Sequence, residues 1–244
     1  MYSQYQPRIY RNNTVSDDLV SFRVAFEETD VFICTDSNLS REAGDIIRRL
    51  RSDIKKYIRD NPKFYKSLKP VSEDSKAPDI VRTMIGVSKM CSVGPMAAVA
   101  GAMAEAIGRQ LLQHSSQVIV ENGGDIFISS KIKRTIGIYA GEASAFRDKL
   151  AIQVAPEDTP CGVCTSSATV GHSLSFGKAD AVVVLSPSAS IADACATALC
   201  NKVKTESDID RVIEHGKSIK DITGILIIIK NKLGVWGNMK LIDI

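Results

Sequence analysis

The sequence predicts an α+β fold in which antiparallel or mixed sheets carry helices on one side. Three observations point there. Strand-like runs outnumber helical ones, they arrive as hairpin pairs, and the order hairpin, helix, hairpin occurs twice along the 244 residues. A hydrophobic share of 44% supports a substantial core. A chain of this length can build one as a single domain, here with two similar halves whose boundary the sequence leaves open.

Each element has a local reason. Residues 1–18 are polar and read as an arm or a short edge strand. Leu19–Phe26 (LVSFRVAF) alternates, and after Glu27-Glu28-Thr29-Asp30 the run Val31–Thr35 (VFICT) completes a β-hairpin. Ser40 then caps an amphipathic helix with Ile46, Ile47, Leu50, Ile54, Tyr57 and Ile58 at helical spacing, stopped by Asp60-Asn61-Pro62. Its basic residues are interleaved with Glu42, Asp45 and Asp53, which makes that face a solvated surface rather than an anion site. Pro62, Pro70 and Pro78 mark residues 61–79 as a crossing connector, with a lid or partner contact as the other reading.

Pro78 to Gln113 is helical, broken at Gly94-Pro95, and rich in small residues (CSVGPMAAVAGAMAEAIGRQLL). Such residues admit a flat ligand or another backbone, and tight helix-on-sheet packing would require the same ones. Gln117–Val120 and Ile126–Ser129 are strands joined by Glu121-Asn122-Gly123-Gly124-Asp125, where Gly-Gly is a turn signal first and a phosphate contact second. Thr135–Ala140 and Leu150–Val154 add two strands. Glu206–His215 is a helix closed by Gly216, and Ile222–Ile229 with Leu233–Met239 forms a last hairpin. The apolar run ITGILIII suits a central strand; at an edge it would pair with a second subunit to give a homodimer.

Cys161 to Asn201 is the stretch that carries chemistry. Gly162, Thr165, Ser166, Ser167, Ala168, Gly171 and Ser173 leave little side chain in the way of an approaching phosphate or flat ligand. Ala179–Leu185 enters the core as a strand, and a helix runs from Ser190 through Asn201. Asp193 and Thr197 share one face of that helix near its start, a carboxylate and a hydroxyl one turn apart, and are the leading candidates for metal ligands. Ser190-x-x-Asp193 also fits a capping box, with Thr197 bonding back along the helix. His172 sits in a loop between Gly171 and Ser173, as a phosphate contact or proton carrier, or else facing solvent. His114 and His215 fall at helix C-termini, where the dipole accounts for them.

Composition removes some functions. A net charge of +3 from 31 basic and 28 acidic residues argues against a strongly electrostatic nucleic-acid binder. No apolar run reaches membrane-spanning length and the N-terminus is polar, so a cytoplasmic protein with neither membrane nor nucleic acid as partner is expected. Six scattered cysteines are expected to be reduced, and Cys161-x-x-Cys164 reads as two thiols in a Gly-containing turn, or as half of a metal or redox site.

Four segments in register, VGPMAAVAGAMAEAIG, VIVENGGDIF, TSSATVGHS and ADACATAL, resemble the FAD:protein FMN transferases of the ApbE superfamily, and most closely a compact, cytosolic branch of it. The resemblance spans about Gly94 to Asn201. It implies a duplicated two-layer T-fold-like unit, and an enzyme that cuts the pyrophosphate of FAD and moves FMN onto a Thr or Ser of an acceptor protein. By the same resemblance Asp193 and Thr197 would hold Mg2+, His172 and Asp193 would be catalytic, and Gly123, Gly124, Asp125, Thr165 and Ser166 would line the flavin or its phosphates. The chain departs from the family pattern at Ala100-Gly101, where Lys-Gly is usual, at Ser166-Ser167 in place of Ser-Gly, and at GHSLSFGKAD in place of an HxxDP-type segment. Those departures leave open a non-catalytic protein that binds a flavin or another phosphorylated small molecule. Ser/Thr-Ala-Thr in TSSAT also resembles acceptor segments, which offers Thr169 as a flavin attachment site on this chain.

Overall fold

The computed structural model describes residues 18–141, 144–147, 149–168 and 176–244. In chain order the elements are β1 (Val20–Phe26), β2 (Thr29–Thr35), α1 (Ser40–Asp60), α2 (Pro62–Lys66), α3 (Asp79–Cys91), a 3-10 turn at Pro95–Ala98, and α4 (Val99–Leu111). Then come β3 (Val118–Asn122), β4 (Asp125–Ser129), β5 (Arg134–Gly137), β6 (Leu150–Val154), β7 (Cys161–Ser166) and β8 (Ala181–Ser186). The chain finishes with α5 (Ala189–Cys200), α6 (Ile209–Lys217), β9 (Gly224–Ile229), β10 (Lys232–Gly237) and β11 (Lys240–Asp243). The architecture is α+β. An eight-stranded antiparallel sheet in the order β1-β2-β3-β4-β7-β8-β9-β10 carries the helices on one face, and a small sheet, β11-β6-β5, covers part of the other.

Both faces of the central strands are therefore buried. In β8, Val182 and Val184 face the helices while Ala181, Val183 and Leu185 face the small sheet. The same division splits β9, with Ile225, Ile227 and Ile229 on one side and Leu226 and Ile228 on the other. A strand covered twice reads as an unbroken apolar run, which is why ADAVVVL and ITGILIII lack alternation. β9 is central, between β8 and β10, so the run ITGILIII has no free edge through which to pair with a second subunit.

The order of elements runs hairpin, helices, hairpin twice: β1-β2, α1 to α4, β3-β4, then β7-β8, α5-α6, β9-β10. On α1 the expected solvated face is held by ion pairs, Arg48 with Asp45 at 2.5 Å and Arg51 with Glu27 at 2.6 Å. The connector after α1 is packed down: Phe64 of α2 is buried, with its ring edge-on to Tyr57 at 5.2 Å between centroids.

Several expectations need correction. The segment starting at Cys161 forms β7 rather than a turn, because hydrogen-bonded partners on both sides, β4 and β8, override its small-residue composition. Ser40 is the first helical residue of α1 and not its cap; its amide is taken by the Asn38 side chain at 3.0 Å. Gly216 lies inside α6, where a Cβ would meet Ile225 Cδ1 at 2.3 Å, so it is there for packing and not as a stop. β11 continues the chain beyond the last expected hairpin, pairing with β6. Among the described residues no single helix is long and apolar enough to cross a membrane.

Two glycines test this packing in opposite directions. A Cβ on Gly162 of β7 would lie 2.3 Å from Ala189 Cα, so Gly162→Ala should destabilise the protein by roughly 1–3 kcal/mol. Gly86, exposed within α3 and with nothing within 4 Å of an added Cβ, should gain roughly 0.5–1 kcal/mol on replacement by Ala. Urea unfolding midpoints at unchanged slope would check both.

Candidate functional site

The site begins where α4 and α5 meet. A Cβ on Gly101 would stand 2.3 Å from the Ala189 carbonyl oxygen and 2.6 Å from Asp193 Cβ, so only glycine lets the two helices approach this far. Each helix start then receives a carboxylate from the other. Asp193 of α5 accepts the Gly101 N–H through Oδ2 at 2.8 Å, with the Ala100 N–H also directed at it. Glu105 of α4 accepts the Ser190 N–H at 3.1 Å, the Ser190 hydroxyl at 3.0 Å and the Ser188 hydroxyl at 2.6 Å, all through Oε2. Its Oε1 accepts Arg109 Nε–H at 2.9 Å. Burial raises the Glu105 carboxyl, but the Ser188 hydroxyl, the Ser190 amide and Arg109 together hold it below the ordinary range.

This arrangement removes the capping-box alternative for Asp193. The N-cap of α5 is Ser188, whose oxygen accepts the Ile191 N–H at 3.4 Å, and the Ser190 hydroxyl is spent on Glu105. Asp193 sits in the second turn and reaches across to α4 instead. Thr197 follows one turn further on, half-buried.

The sheet supplies the opposite wall. Gly123 (φ 71°) and Gly124 (φ 100°) form the two-residue turn between β3 and β4, a backbone conformation that favours glycine at both positions. The Gly124 N–H is already committed to Glu121 Oε1 at 2.9 Å, while an added Cβ at either glycine would meet nothing within 4 Å. Asn122 donates from Nδ2 to the Ala100 carbonyl at 3.1 Å, tying this turn to the start of α4. Asp125 opens β4 directly opposite Cys164 of β7. It is 7% exposed, and its Oδ1 is the buried side-chain nitrogen or oxygen without a hydrogen-bond partner among the described residues.

Electrostatics follow from that burial. Burial first, and the Asp193 charge second, push the Asp125 carboxyl well above the ordinary range, against the opposing pull of the Cys164 thiol and the Thr165 N–H. Burial likewise pushes Asp193 up to about 7, opposed by the Gly101 and Ala100 amides. The Cys164 thiol stands 3.3 Å from the Ala189 carbonyl oxygen as well as beside Asp125, so one S–H proton has two acceptors. Burial and the two carboxylates push that thiol up, away from reactivity. Cys161 belongs to the core between the sheets, whereas Cys164 faces the helices. Their i, i+3 spacing on a strand sends them to opposite faces, and they are neither a redox couple nor half of a zinc site. None of the six cysteines is in a disulfide.

The structure therefore brings together Asp193, Asp125 and, on the helix-facing side of β7 with Cys164, Ser166. Thr165 alternates to the other face and contributes its backbone N–H to Asp125. His172 and Thr169 lie outside the described residues. Among those described, no three His, Cys, Asp or Glu side chains converge as a ready metal-binding set. A cation here would rest on carboxylate, hydroxyl and backbone oxygens together with ligand phosphate and water, as Mg2+ commonly does. The orphaned Asp125 oxygen beside Asp193 fits such an ion. Sequence reasoning missed Glu105, although a lone carboxylate in the Ala/Gly/Met run was a visible signal, and it missed Asn122 and Cys164, whose roles depend on pairing across strands.

With this geometry in view, comparison with known proteins decides the family. The family described as AbpE bacteria matches residues 12–232. The chain belongs to this family, within the ApbE-like superfamily. A UPF0280 protein of Methanocaldococcus jannaschii is 41% identical over 223 residues, covering 89% of this chain and 90% of that one. A UPF0280 protein of Methanococcus vannielii is 39% identical over 228 residues, 91% and 92% of the two chains. Among solved structures, the flavin transferase ApbE from Vibrio cholerae superposes with a TM-score of 0.58 at 15% identity, covering 90% of this chain and 96% of that one. The apo flavinyl transferase ApbE of Pseudomonas stutzeri gives a TM-score of 0.58 at 13% identity over 90% and 94% of the chains. These likenesses establish the α+β architecture of this ApbE-like chain.

The raised Asp193 carboxyl makes a signed prediction. Between about pH 4, where an unfolded Asp loses its proton, and about pH 7 the folded protein holds a proton that the unfolded chain has released. Stability from this group is therefore lost as pH rises through that window. Asp193→Asn is neutral throughout and keeps an oxygen for the Gly101 N–H. Its melting temperature minus that of the wild type, without added metal, should rise from pH 5 to pH 8; a flat difference would refute the assignment.

Proposed function

We propose that the region where the α4–α5 crossing meets the β3–β4 turn binds a flavin nucleotide and supports Mg2+-dependent transfer of its FMN portion to a Ser or Thr hydroxyl of an acceptor protein. The observation that carries this reading is a pair of buried carboxylates, Asp125 and Asp193, one with an unsatisfied oxygen, in a chain whose fold matches flavin transferases. Asp193 and Thr197 would hold the ion. When bound, Mg2+ neutralises pyrophosphate oxygens and stabilises charge gathering on the departing phosphate.

The chain's own residues do the rest. The Gly101 and Ala100 amides keep the Asp193 carboxylate aimed while burial excludes water from around it. Glu105 fixes the start of α5, so Asp193 and Thr197 stay in place without a flexible hinge. Ser166 and the open space over Gly123 and Gly124 leave room for phosphate and ring. The acceptor hydroxyl oxygen bonds to the FMN phosphorus, the bridging P–O bond breaks to release AMP, and His172 is the residue proposed to take the hydroxyl proton.

A second reading has one observation in its favour. By the resemblance, Ala100 takes the place of a Lys usual in the transferases, and a chain without that cation suits a protein that binds the nucleotide without turning it over. Incubation with FAD, Mg2+ and a Thr-containing acceptor peptide separates the two. AMP release that falls at least about 100-fold in Asp193→Ala supports transfer. Thermal stabilisation by FMN or FAD with no AMP would establish binding alone, and neither response would sink both.

A further inference from the structure

We propose that Asp125, from the sheet, is a direct ligand of the divalent cation and shares it with Asp193 from α5. This rests on the metal in the reading above but not on the flavin. The argument starts from an unmet need. A buried acceptor without a donor destabilises the fold, and more so when charged, and Asp125 Oδ1 is such an acceptor. The remaining donors near it are the Thr165 N–H and the Cys164 thiol, whose single proton also serves the Ala189 carbonyl.

The second observation is like charge. Asp193 lies close enough to push the Asp125 carboxyl up, and Glu121, across the sheet, adds to it. Among the described residues no Lys or Arg forms an ion pair with either aspartate; the cation on α4, Arg109, is held by Glu105 at 2.7 Å and lies over the Phe127 ring. Two carboxylates in one dry pocket ionise together only with a positive charge between their oxygens. The two carboxylates, with the neighbouring Cys164 thiol kept protonated by burial and by their own charge, suit a hard divalent ion of the Mg2+ or Mn2+ kind rather than Zn2+. The assignment also resolves a difficulty in placing Asp125 among the phosphate-lining residues. A bare carboxylate there would repel a diphosphate, whereas one bound to the ion attracts it.

Mn2+ binding to the purified full chain, stripped of metal and without nucleotide, tests this by the paramagnetic signal of free Mn2+ at pH 7.5. One Mn2+ per chain is expected, with Asp125→Asn weakening it at least about 10-fold while leaving the metal-free melting temperature no lower than that of the wild type. As a second variant, Asp125→Cys in reducing buffer should gain Cd2+ affinity relative to Mn2+, since a thiolate prefers the softer ion. Asp125→Asn binding Mn2+ as tightly as the wild type would overturn the proposal, and would mean that Asp125 is simply kept protonated. A wild type that takes up no Mn2+ to millimolar concentration, with no Cd2+ gain in Asp125→Cys, would overturn it as well. AMP release is not read in this assay. Loss of Mn2+ in Asp125→Asn alongside a wild type that leaves FAD intact would keep the ligand assignment and discard the flavin chemistry.

Discussion

Two helices that start at the same place ought to repel. The positive ends of α4 and α5 meet at Gly101 and Ala189, and their unsatisfied N–H groups point into a buried region. The crossing holds because each helix lends the other a carboxylate: Asp193 to the Gly101 amide, Glu105 to the Ser190 amide. Everything else at the site is placed by this exchange. Gly162 brings β7 against the same Ala189, so helix, helix and strand converge on one small residue.

The exchange is unequal. Glu105 is fully committed, with two hydroxyls, one amide and Arg109 on its two oxygens. Asp193 is held by amides at one edge and faces a second aspartate whose Oδ1 has no partner among the described residues. A stable crossing by itself would be better served by one satisfied carboxylate than by two buried ones, of which Asp193 raises the affinity of Asp125 for a proton. The cost is carried by the sheet behind it, continuous through eight strands and buried on both faces at its central ones.

Much of this was legible in the order of residues. The first hairpin, the long α1, the break at Gly94-Pro95 and the central position of ITGILIII follow from alternation, helical spacing, proline geometry and unbroken apolarity. The Gly123-Gly124 turn was legible for the same reason, since two positive φ angles leave few other choices. Asp193 was legible as a polar residue at a helix start. Its partner was not, because the donor that meets it is an amide 92 positions away.

The sequence by itself determined which segments could be strand or helix and which faces had to be covered, because those follow from local sterics and from the spacing of apolar side chains. Tertiary structure alone decided that Cys161–Ser166 is a strand, that Cys161 and Cys164 face different cores, and that Asp125 and Asp193 are both buried within electrostatic reach of each other. The physical reason is that hydrogen-bonded pairing and mutual burial are properties of two segments at once, and neither segment carries a record of the other.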